Sequence, residues 1–243
     1  MNMIALNETL KNLNLPQRLA AIVKMVEGPL VFTTSLGIED QLITHHIATQ
    51  NLAIKLVTLD TGRLFPQTYD VWQATEEKYG VRIQAMFPDA VATEALVADQ
   101  GINGFYYAIE MRKACCHVRK VEPLNRALNG AKGWVTGLRG GQSANRDHLV
   151  FAEEDAARGL IKFNPLADYS REQVVAEVKA LNVPYNVLHD QGFLSIGCAP
   201  CTRALRPGEP ERAGRWWWED EANKECGLHV AEDGTLVRSK ETA

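Results

Sequence analysis

Residues 30–40 read Leu-Val-Phe-Thr-Thr-Ser-Leu-Gly-Ile-Glu-Asp, and this stretch decides the fold. Its first five residues are mostly β-branched or aromatic and predict a short buried strand. Residues 35–38 predict a turn, and the acidic residues that follow indicate the first turn of a helix over residues 39–50. Free backbone N–H groups at such a helix start favour an anion, although a plain strand-to-helix turn is the alternative.

The same order recurs along the chain. Residues 54–59 predict a second strand, residues 60–65 a loop, and residues 66–79 a helix that Gly80 ends. Residues 81–85 predict a third strand. This alternation indicates an α/β fold whose mostly parallel sheet carries helices on both faces.

Further elements complete that prediction. Helices are predicted at residues 16–25, 90–100, 117–128 and 170–181, and a strand at residues 133–136. Ser170 and Gln173 have the spacing of a capping box. Because ligands bind at the carboxyl ends of parallel strands, we expect Ser35, Asp60 and Gly137 to lie close together.

Length and composition exclude several classes of protein. The chain has 243 residues, of which 46% are hydrophobic and 23% charged, so most of it is not disordered. Its apolar runs are much shorter than the roughly 18 residues that a membrane-spanning helix needs. Residues 1–11 lack the features of a secretory signal. We therefore expect a cytoplasmic protein with no membrane partner.

Charge points to a small anionic ligand. The formal net charge is −4, which argues against a general nucleic-acid surface. Basic residues nevertheless recur from residue 112 onward: Arg112, Lys113, Arg119, Lys120, Arg139, Arg146, Arg203, Arg206, Arg212 and Arg215. A few focused cations suffice for a phosphate or sulfate while the remaining surface stays acidic.

The character of the sequence changes near its end. Glycine, proline, arginine and tryptophan dominate from about residue 189, and the residues from 219 onward are polar and charged. We predict an α/β domain over residues 1–215 and a partly mobile C-terminal tail over residues 216–243. The tryptophans at residues 216–218 are interpreted as an apolar anchor for that tail.

Four of the five cysteines come in pairs. Cys115 and Cys116 are adjacent, whereas Cys198 and Cys201 form a Cys-x-x-Cys pair. Two such pairs suit tetrahedral zinc or an iron–sulfur centre. Adjacent side chains diverge, which favours a cluster with separated irons over one zinc ion. Ordinary buried cysteines, or a lone redox Cys-x-x-Cys, remain the alternatives.

The fifth cysteine lies in the predicted tail. Cys226 belongs to the motif Glu-Cys-Gly-Leu-His, so His229 follows three residues later. The surroundings lack apolar periodicity, which argues against a core position. An accessible thiol near cationic groups is stabilised as the thiolate and can act as a nucleophile. An incidental cysteine is the alternative.

Taken together, these motifs resemble the sulfonucleotide reductase family, and within it the assimilatory adenylyl-sulfate reductases. The resemblance covers roughly residues 30–229 and rests on the loops after the strands, the cysteine pairs and the Glu-Cys-Gly-Leu-His motif. It implies a Rossmann-like fold of the adenine nucleotide alpha hydrolase (PP-loop) type. The residues at 139–142, Arg-Gly-Gly-Gln, depart from the family pattern because two glycines replace a second charged pair.

The resemblance also implies roles for individual residues. The four paired cysteines, Cys115, Cys116, Cys198 and Cys201, match ligands of a 4Fe-4S cluster. Cys226 matches the catalytic thiol, and His229 matches a histidine beside it. Residues around the phosphosulfate are matched by Lys120, Arg139, Arg212 and Arg215. The nucleotide-binding loops are matched by Thr34, Ser35, Gly37 and Asp60.

The implied chemistry suits these residue types. A Cys226 thiolate would attack the sulfur of adenylyl sulfate, expel AMP and leave an S-sulfonated cysteine, while the cations stabilise the developing charge. Four ligands and one nucleophile leave no spare cysteine. An external dithiol donor, thioredoxin or a glutaredoxin-like protein, is therefore expected to release sulfite.

Three other functions compete with this one. A phosphoadenylyl-sulfate reductase or an enzyme of dual specificity differs only by a 3′-phosphate on the substrate. An ATP pyrophosphatase-type adenylating enzyme shares the sheet but usually carries Ser-Gly-Gly-x-Asp-Ser at the first loop, where this chain has Ser-Leu-Gly-Ile-Glu-Asp. A non-enzymatic iron–sulfur or zinc sensor would not need Cys226. The sequence does not predict an oligomeric state.

Overall fold

The computed structural model of the chain describes residues 2–142 and 149–220. The strands are β1 (Leu30–Thr34), β2 (Ile54–Leu59), β3 (Gln84–Met86), β4 (Gly133–Val135), β5 (Ala152–Asp155) and β6 (Leu160–Phe163). The α-helices are α1 (Met3–Lys11), α2 (Leu15–Met25), α3 (Ile38–Thr49), α4 (Pro66–Tyr79), α5 (Ala90–Gln100), α6 (Ile109–Cys116), α7 (Glu122–Leu128) and α8 (Arg171–Ala180).

The strands form one sheet in the order β3-β2-β1-β4-β6-β5. Every neighbouring pair is parallel except β5 with β6, so the antiparallel strand lies at one edge. In the centre, Leu30 of β1 pairs with Ile54 of β2 and with Gly133 of β4. The predicted, mostly parallel α/β sheet is confirmed, and the carboxyl ends of β1, β2 and β4 lie side by side.

Apolar side chains cover both faces of this sheet. Phe32 of β1 belongs to the larger core cluster, together with buried residues of α1, α2, α3 and α8. Val31, its neighbour in the strand, belongs to a second cluster with Leu124 and Leu128 of α7. Successive residues of a strand point to opposite faces, which explains why three consecutive residues of β1, at 30–32, are all apolar.

The predicted elements mostly match the observed ones. The strands β1 and β2 and the helices α4 and α5 have the predicted bounds, and the capping box of Ser170 and Gln173 forms at the start of α8. The third strand begins later than predicted, at Gln84. Gly80 ends α4 in a left-handed conformation with φ of 64°, and the Ile83 N–H bonds to the Glu76 carboxylate at 2.8 Å, which keeps residues 81–83 out of the strand.

Other elements were not predicted or begin at a different residue than predicted. The helix α1 begins at an Asn2 cap and buries Leu6 and Leu10. The β5–β6 hairpin lies at the sheet edge, where short strands show little periodicity. The helix predicted at residues 117–128 starts earlier, because α6 continues through a π-helical turn, His117–Val121, into α7. Among the described residues, no helix is both long and apolar enough to cross a membrane.

Candidate functional site

A cavity of about 210 Å³ opens at the carboxyl ends of β1, β2 and β4. Its walls come from the loops after these three strands, from the π-helical turn and from residues 189–216. The predicted site residues that line it are Thr34, Ser35, Gly37, Lys120, Cys198, Arg212 and Arg215. Strand-end loops of a parallel sheet therefore create the site, as the sequence predicted.

The loop after β1 is organised by a carboxylate. The backbone N–H and the hydroxyl of Ser35 both donate to Asp40 Oδ2 at 2.6 Å. Burial raises the pKa of Asp40 to about 7, against the two hydrogen bonds from Ser35, which lower it. Nearby Glu39 raises it further. The first turn of α3 thus uses its own acidic side chain to satisfy Ser35.

Gly137, in the loop after β4, contacts the same carboxylate. A Cβ atom at residue 137 would lie 1.8 Å from Asp40 Oδ1, so only glycine leaves room for that side chain. The close approach of the two loops explains the glycine that follows β4. The predicted proximity of Ser35 and Gly137 is confirmed.

The loop after β2 contributes in a different way. Asp60 does not line the cavity; its buried carboxylate accepts hydrogen bonds from the Gly62 N–H at 2.8 Å and the Tyr69 hydroxyl at 2.9 Å. The next residue, Thr61, does line it, and the Thr61 hydroxyl lies 3.3 Å from Cys198 Sγ. Asp60 therefore fixes the shape of the loop, whereas Thr61 reaches the cysteines.

Arg139 is buried behind the cavity wall. Its Nε donates to Glu39 at 2.8 Å, and its Nη2 donates to both carboxylate oxygens of Glu211 at 2.6 and 2.7 Å. Arg171 lies 3.5 Å from Glu211. Glu39 and Glu211 themselves line the cavity, so the arginine joins three separate segments of the chain around it.

The four paired cysteines meet beside this cavity. Cys115 and Cys116 end α6, and Cys198 precedes a short 3₁₀ turn, Ala199–Cys201, that Cys201 ends. All four are free thiols, and a second, smaller cavity is lined by all of them. Three residues line both cavities: Lys120, Cys198 and Trp216. The cysteines thus lie at one end of the larger cavity.

The thiols differ in their electrostatic surroundings. Burial, with a further contribution from Cys198, raises the pKa of Cys201 to about 12. Burial also opposes ionisation of Cys198, but Lys120, Thr61 and nearby arginines outweigh it and lower that pKa. For Cys115, burial raises the pKa and Arg119 only partly offsets it. The surrounding positive charge therefore favours the thiolate form of Cys198 more than that of Cys115 or Cys201.

Two buried N–H donors point to a group that completes this site. Neither Arg119 Nε nor Trp216 Nε1 has a hydrogen-bond partner among the described residues. Both residues line the small cavity with the cysteines. Buried donors are costly unless an acceptor meets them, and the sulfurs of an anionic cluster are acceptors. In the part of the chain that the structure describes, no three His, Cys, Asp or Glu side chains are arranged to hold a metal ion. The four free thiols and the two unpartnered donors around the small cavity fit an anionic, sulfur-containing group.

Two predicted site residues, Cys226 and His229, lie outside the described residues. The predicted tail begins inside the folded domain, because Trp216 is 1% exposed and packs with Cys116, Cys198 and Cys201. That position agrees with the interpretation of the tryptophans as an anchor. Arg146 also lies outside the described residues.

Several residues of the site were missed by sequence reasoning. They are Glu39, Asp40, Thr61 and Glu211. The acidic residues of the first α3 turn were interpreted only as helix-start signals, although their position at a strand-to-helix loop also places them at the ligand edge. Glu211 lies next to Arg212 in a segment without regular secondary structure, and no local pattern indicates its partner.

Comparison with known proteins assigns the family. Residues 29–204 match the phosphoadenosine phosphosulfate reductase domain. The chain is 56% identical to an adenosine 5′-phosphosulfate reductase of Sinorhizobium fredii (strain USDA 257), over 96% of this chain and 92% of that protein. It is 50% identical to the adenosine 5′-phosphosulfate reductase of Allochromatium vinosum, over 90% of this chain and 88% of that protein.

Solved structures agree with that assignment. The crystal structure of a phosphoadenylyl-sulfate reductase from Candida auris, in complex with phosphate, aligns with a TM-score of 0.71 at 30% identity, covering 82% of this chain and 95% of that one. Yeast FAD synthetase aligns with a TM-score of 0.55 at 16% identity, covering 84% of this chain and 69% of that one, and shows the fold alone. The expected nucleotide-binding α/β fold is therefore confirmed, and the chain belongs to the phosphoadenosine phosphosulfate reductase family.

Proposed function

We propose that this chain is an adenylyl-sulfate reductase, which converts adenylyl sulfate to AMP and sulfite in assimilatory sulfate reduction. Relatives named adenosine 5′-phosphosulfate reductase, which is another name for adenylyl-sulfate reductase, are 48 to 56% identical to this chain and support the proposal. The structural observation that carries it is the convergence of Lys120 and Arg215 with four cysteines at one end of a cavity that Arg212 also lines. Cations at this position suit a phosphosulfate group, and the strand-end loops suit the nucleoside.

Substrate binding divides between two sets of residues. The nucleotide is held by Thr34, Ser35 and Gly37, and the phosphosulfate by Lys120, Arg212 and Arg215. Asp60 and Arg139 serve the same site as braces, because their charged groups are bonded to Tyr69 and to two carboxylates, respectively. His229 is proposed to lie beside the nucleophile.

The reaction begins with the Cys226 thiolate. Its sulfur attacks the sulfur of adenylyl sulfate, so an S–S bond forms while the S–O bond to the phosphate breaks. The bonding electrons leave with AMP, and Cys226 carries a sulfonate group. Fixed cations stabilise the charge that builds on the leaving phosphate without reorganising during the step.

The four paired cysteines are proposed to hold a 4Fe-4S cluster. Cys115, Cys116, Cys198 and Cys201 would be its ligands, and Arg119 Nε and Trp216 Nε1 would donate to its sulfurs. When bound, the cluster supplies a fixed charged centre beside Lys120 and holds the four thiolates in place. The thiol chemistry requires no electron from it.

Sulfite release requires an external dithiol. One thiolate of reduced thioredoxin, or of a glutaredoxin-like protein, attacks Sγ of S-sulfonated Cys226 and expels sulfite. The second thiol then resolves the mixed disulfide, which restores Cys226 and leaves the donor oxidised by two electrons. A reducing cytoplasm, where such donors are maintained, is the proposed location.

The test compares two substrates and one variant. With thioredoxin, we expect sulfite from adenylyl sulfate at a much higher kcat/KM than from its 3′-phosphorylated form. We expect Cys226→Ser to form no sulfite while it keeps its iron, its colour and its affinity for AMP. Full activity of Cys226→Ser would contradict the mechanism, and preference for the 3′-phosphorylated nucleotide would instead support a phosphoadenylyl-sulfate reductase.

A further inference from the structure

A buried ion pair joins the cysteine helix to the last described residues of the chain. Arg112 of α6 donates through Nε to Glu219 Oε1 at 2.9 Å and through Nη2 to Glu219 Oε2 at 2.6 Å. The two side chains are 1% and 3% exposed. This bidentate geometry is the strongest form of an arginine–carboxylate contact.

The same arginine contacts a proposed cluster ligand and the ring of Trp216. Arg112 also hydrogen-bonds the Cys116 thiol. Its guanidinium lies 4.9 Å from the ring centroid of Trp216, and the guanidinium of Arg215 lies 4.6 Å from the same ring. Because Arg215 lines the larger cavity, the ion pair and the proposed phosphosulfate site share a contact with one indole ring.

The backbone at this point adopts an unusual conformation. Trp216 has φ of 40°, in the left-handed region that a bulky side chain rarely adopts. Its N–H bonds to the Cys201 carbonyl at 3.2 Å, and its carbonyl accepts from the Glu219 N–H at 2.9 Å. The chain therefore turns sharply at Trp216, and this turn brings Glu219 back onto Arg112.

Stability alone does not explain such a pair. Removing two charges from water costs about as much as their attraction returns, so buried pairs contribute little net stability, whereas they do fix geometry. The pair formed by Arg126 and Glu122, at 45% and 39% exposure, carries no such desolvation cost. The geometry of Arg112 and Glu219 therefore calls for a positional role.

We propose that Arg112 and Glu219 form a latch that fixes residue 219 against α6 and thereby limits where Cys226 can reach. This inference rests on the proposed function. Cys226 follows Glu219 by seven residues, which span at most about 25 Å when fully extended. The site of attachment thus determines how often the thiol meets a substrate in the cavity.

The experiment uses the full chain, purified without oxygen, and measures S-sulfonation of Cys226 in a single turnover with adenylyl sulfate and no thiol donor. We expect Glu219→Ala to slow this step at least tenfold while its affinity for AMP stays within threefold of the parent. Glu219→Asp keeps the charge and should recover part of the rate. Glu122→Gln, which breaks the exposed pair, is the matched control and should react like the parent.

Hydrogen exchange supplies a readout that does not depend on the reaction. The amides of residues 216–219 should exchange faster in Glu219→Ala than in the parent. Their exchange rates in Glu122→Gln should equal those of the parent. Should Glu219→Ala not fold, Glu219→Gln answers the same question because it keeps the shape of the side chain.

The outcomes separate the latch from the proposed function. Equal sulfonation rates in the parent and Glu219→Ala would overturn the latch. Loss of iron from Glu219→Ala would also overturn it, by assigning the pair to retention of the metal group. If the parent itself forms no S-sulfonated Cys226, the proposed function fails, and hydrogen exchange still decides whether the ion pair holds the base of the tail.

Discussion

The two ends of the cavity are built on different principles. At the end formed by the loops after β1 and β4, the charged groups satisfy one another: Asp40 accepts from Ser35, and Arg139 binds Glu39 and Glu211. At the cysteine end, within the described residues, Arg119 Nε and Trp216 Nε1 find no acceptor beside four free thiols. The carboxylates at the first end are paired within the fold, and among the described residues His189 Nε2 is the buried atom that lacks a partner there, whereas the two N–H donors at the cysteine end fit a bound acceptor.

This difference predicts the largest effect at the cysteine end. Cys198→Ser removes one proposed ligand and the thiol that Lys120 and Thr61 stabilise. We expect it to lose most of its iron and acid-labile sulfide, together with visible absorption and sulfite formation. Cys226→Ser is the control and should keep both its iron and its acid-labile sulfide. Full iron and sulfide in Cys198→Ser would contradict the assignment of the ligands.

At the end formed by the loops after β1 and β4, removing the charge of Arg139 should destabilise the fold without loss of iron. Arg139→Gln leaves the buried carboxylates of Glu39 and Glu211 without their main partner. We expect the free energy of unfolding in urea to fall by about 3 to 5 kcal/mol. The exposed counterpart Arg126→Gln should change it by less than about 1 kcal/mol. Similar losses in the two variants would show that the buried network is not what holds this end together.

Asp40 predicts a pH dependence at the same end. Its pKa rises from 3.8 to about 7 because the carboxyl is buried, so the folded state holds a proton that the unfolded state releases. The stabilisation is complete below about pH 4 and is lost as pH rises to about 7. Between pH 5 and 7 the parent should lose about 2 kcal/mol relative to Asp40→Asn, with a flat difference above pH 7. Urea titrations at several pH values measure this, and parallel curves would contradict it.

The smallest effect concerns the contact between loops. Gly137→Ala would place its Cβ against the Asp40 carboxylate, so the loops after β1 and β4 must move apart. We expect a loss of about 1 to 3 kcal/mol in stability and weaker binding of AMP, measured by calorimetry. Gly141→Ala is the control, because a Cβ there would lie 4.0 Å from the nearest atom, Arg139 Nη1. Equal affinities in both variants would separate the loop contact from nucleotide binding.

The sequence predicted the strands and helices of the molecule better than it predicted which charged side chains pair. The strands β1 and β2 follow directly from local apolar runs, and the end of α4 from Gly80, so local patterns suffice for them. Arg139 was predicted to contact substrate, but its partners lie 100 and 72 residues away in the sequence, at Glu39 and Glu211. No local pattern reveals such pairing, because it depends on how the loops meet in three dimensions.

For the cysteines, the sequence predicted the shared site but not the residues that surround it. Their pairing pattern predicted one shared site, and the structure does bring Cys115, Cys116, Cys198 and Cys201 around one small cavity. The partners of that site, Thr61 and the indole of Trp216, were not predicted, since each reaches the cysteines only through tertiary packing. The latch between Arg112 and Glu219 joins residues 107 positions apart and was missed for the same reason.

The most direct test of the account is intact and peptide mass spectrometry of the full chain after reaction with adenylyl sulfate, without a thiol donor. The account predicts one added sulfonate group, located on Cys226, and one AMP released per chain. A sulfonate on any of the four paired cysteines, or AMP release without a modified cysteine, would contradict it.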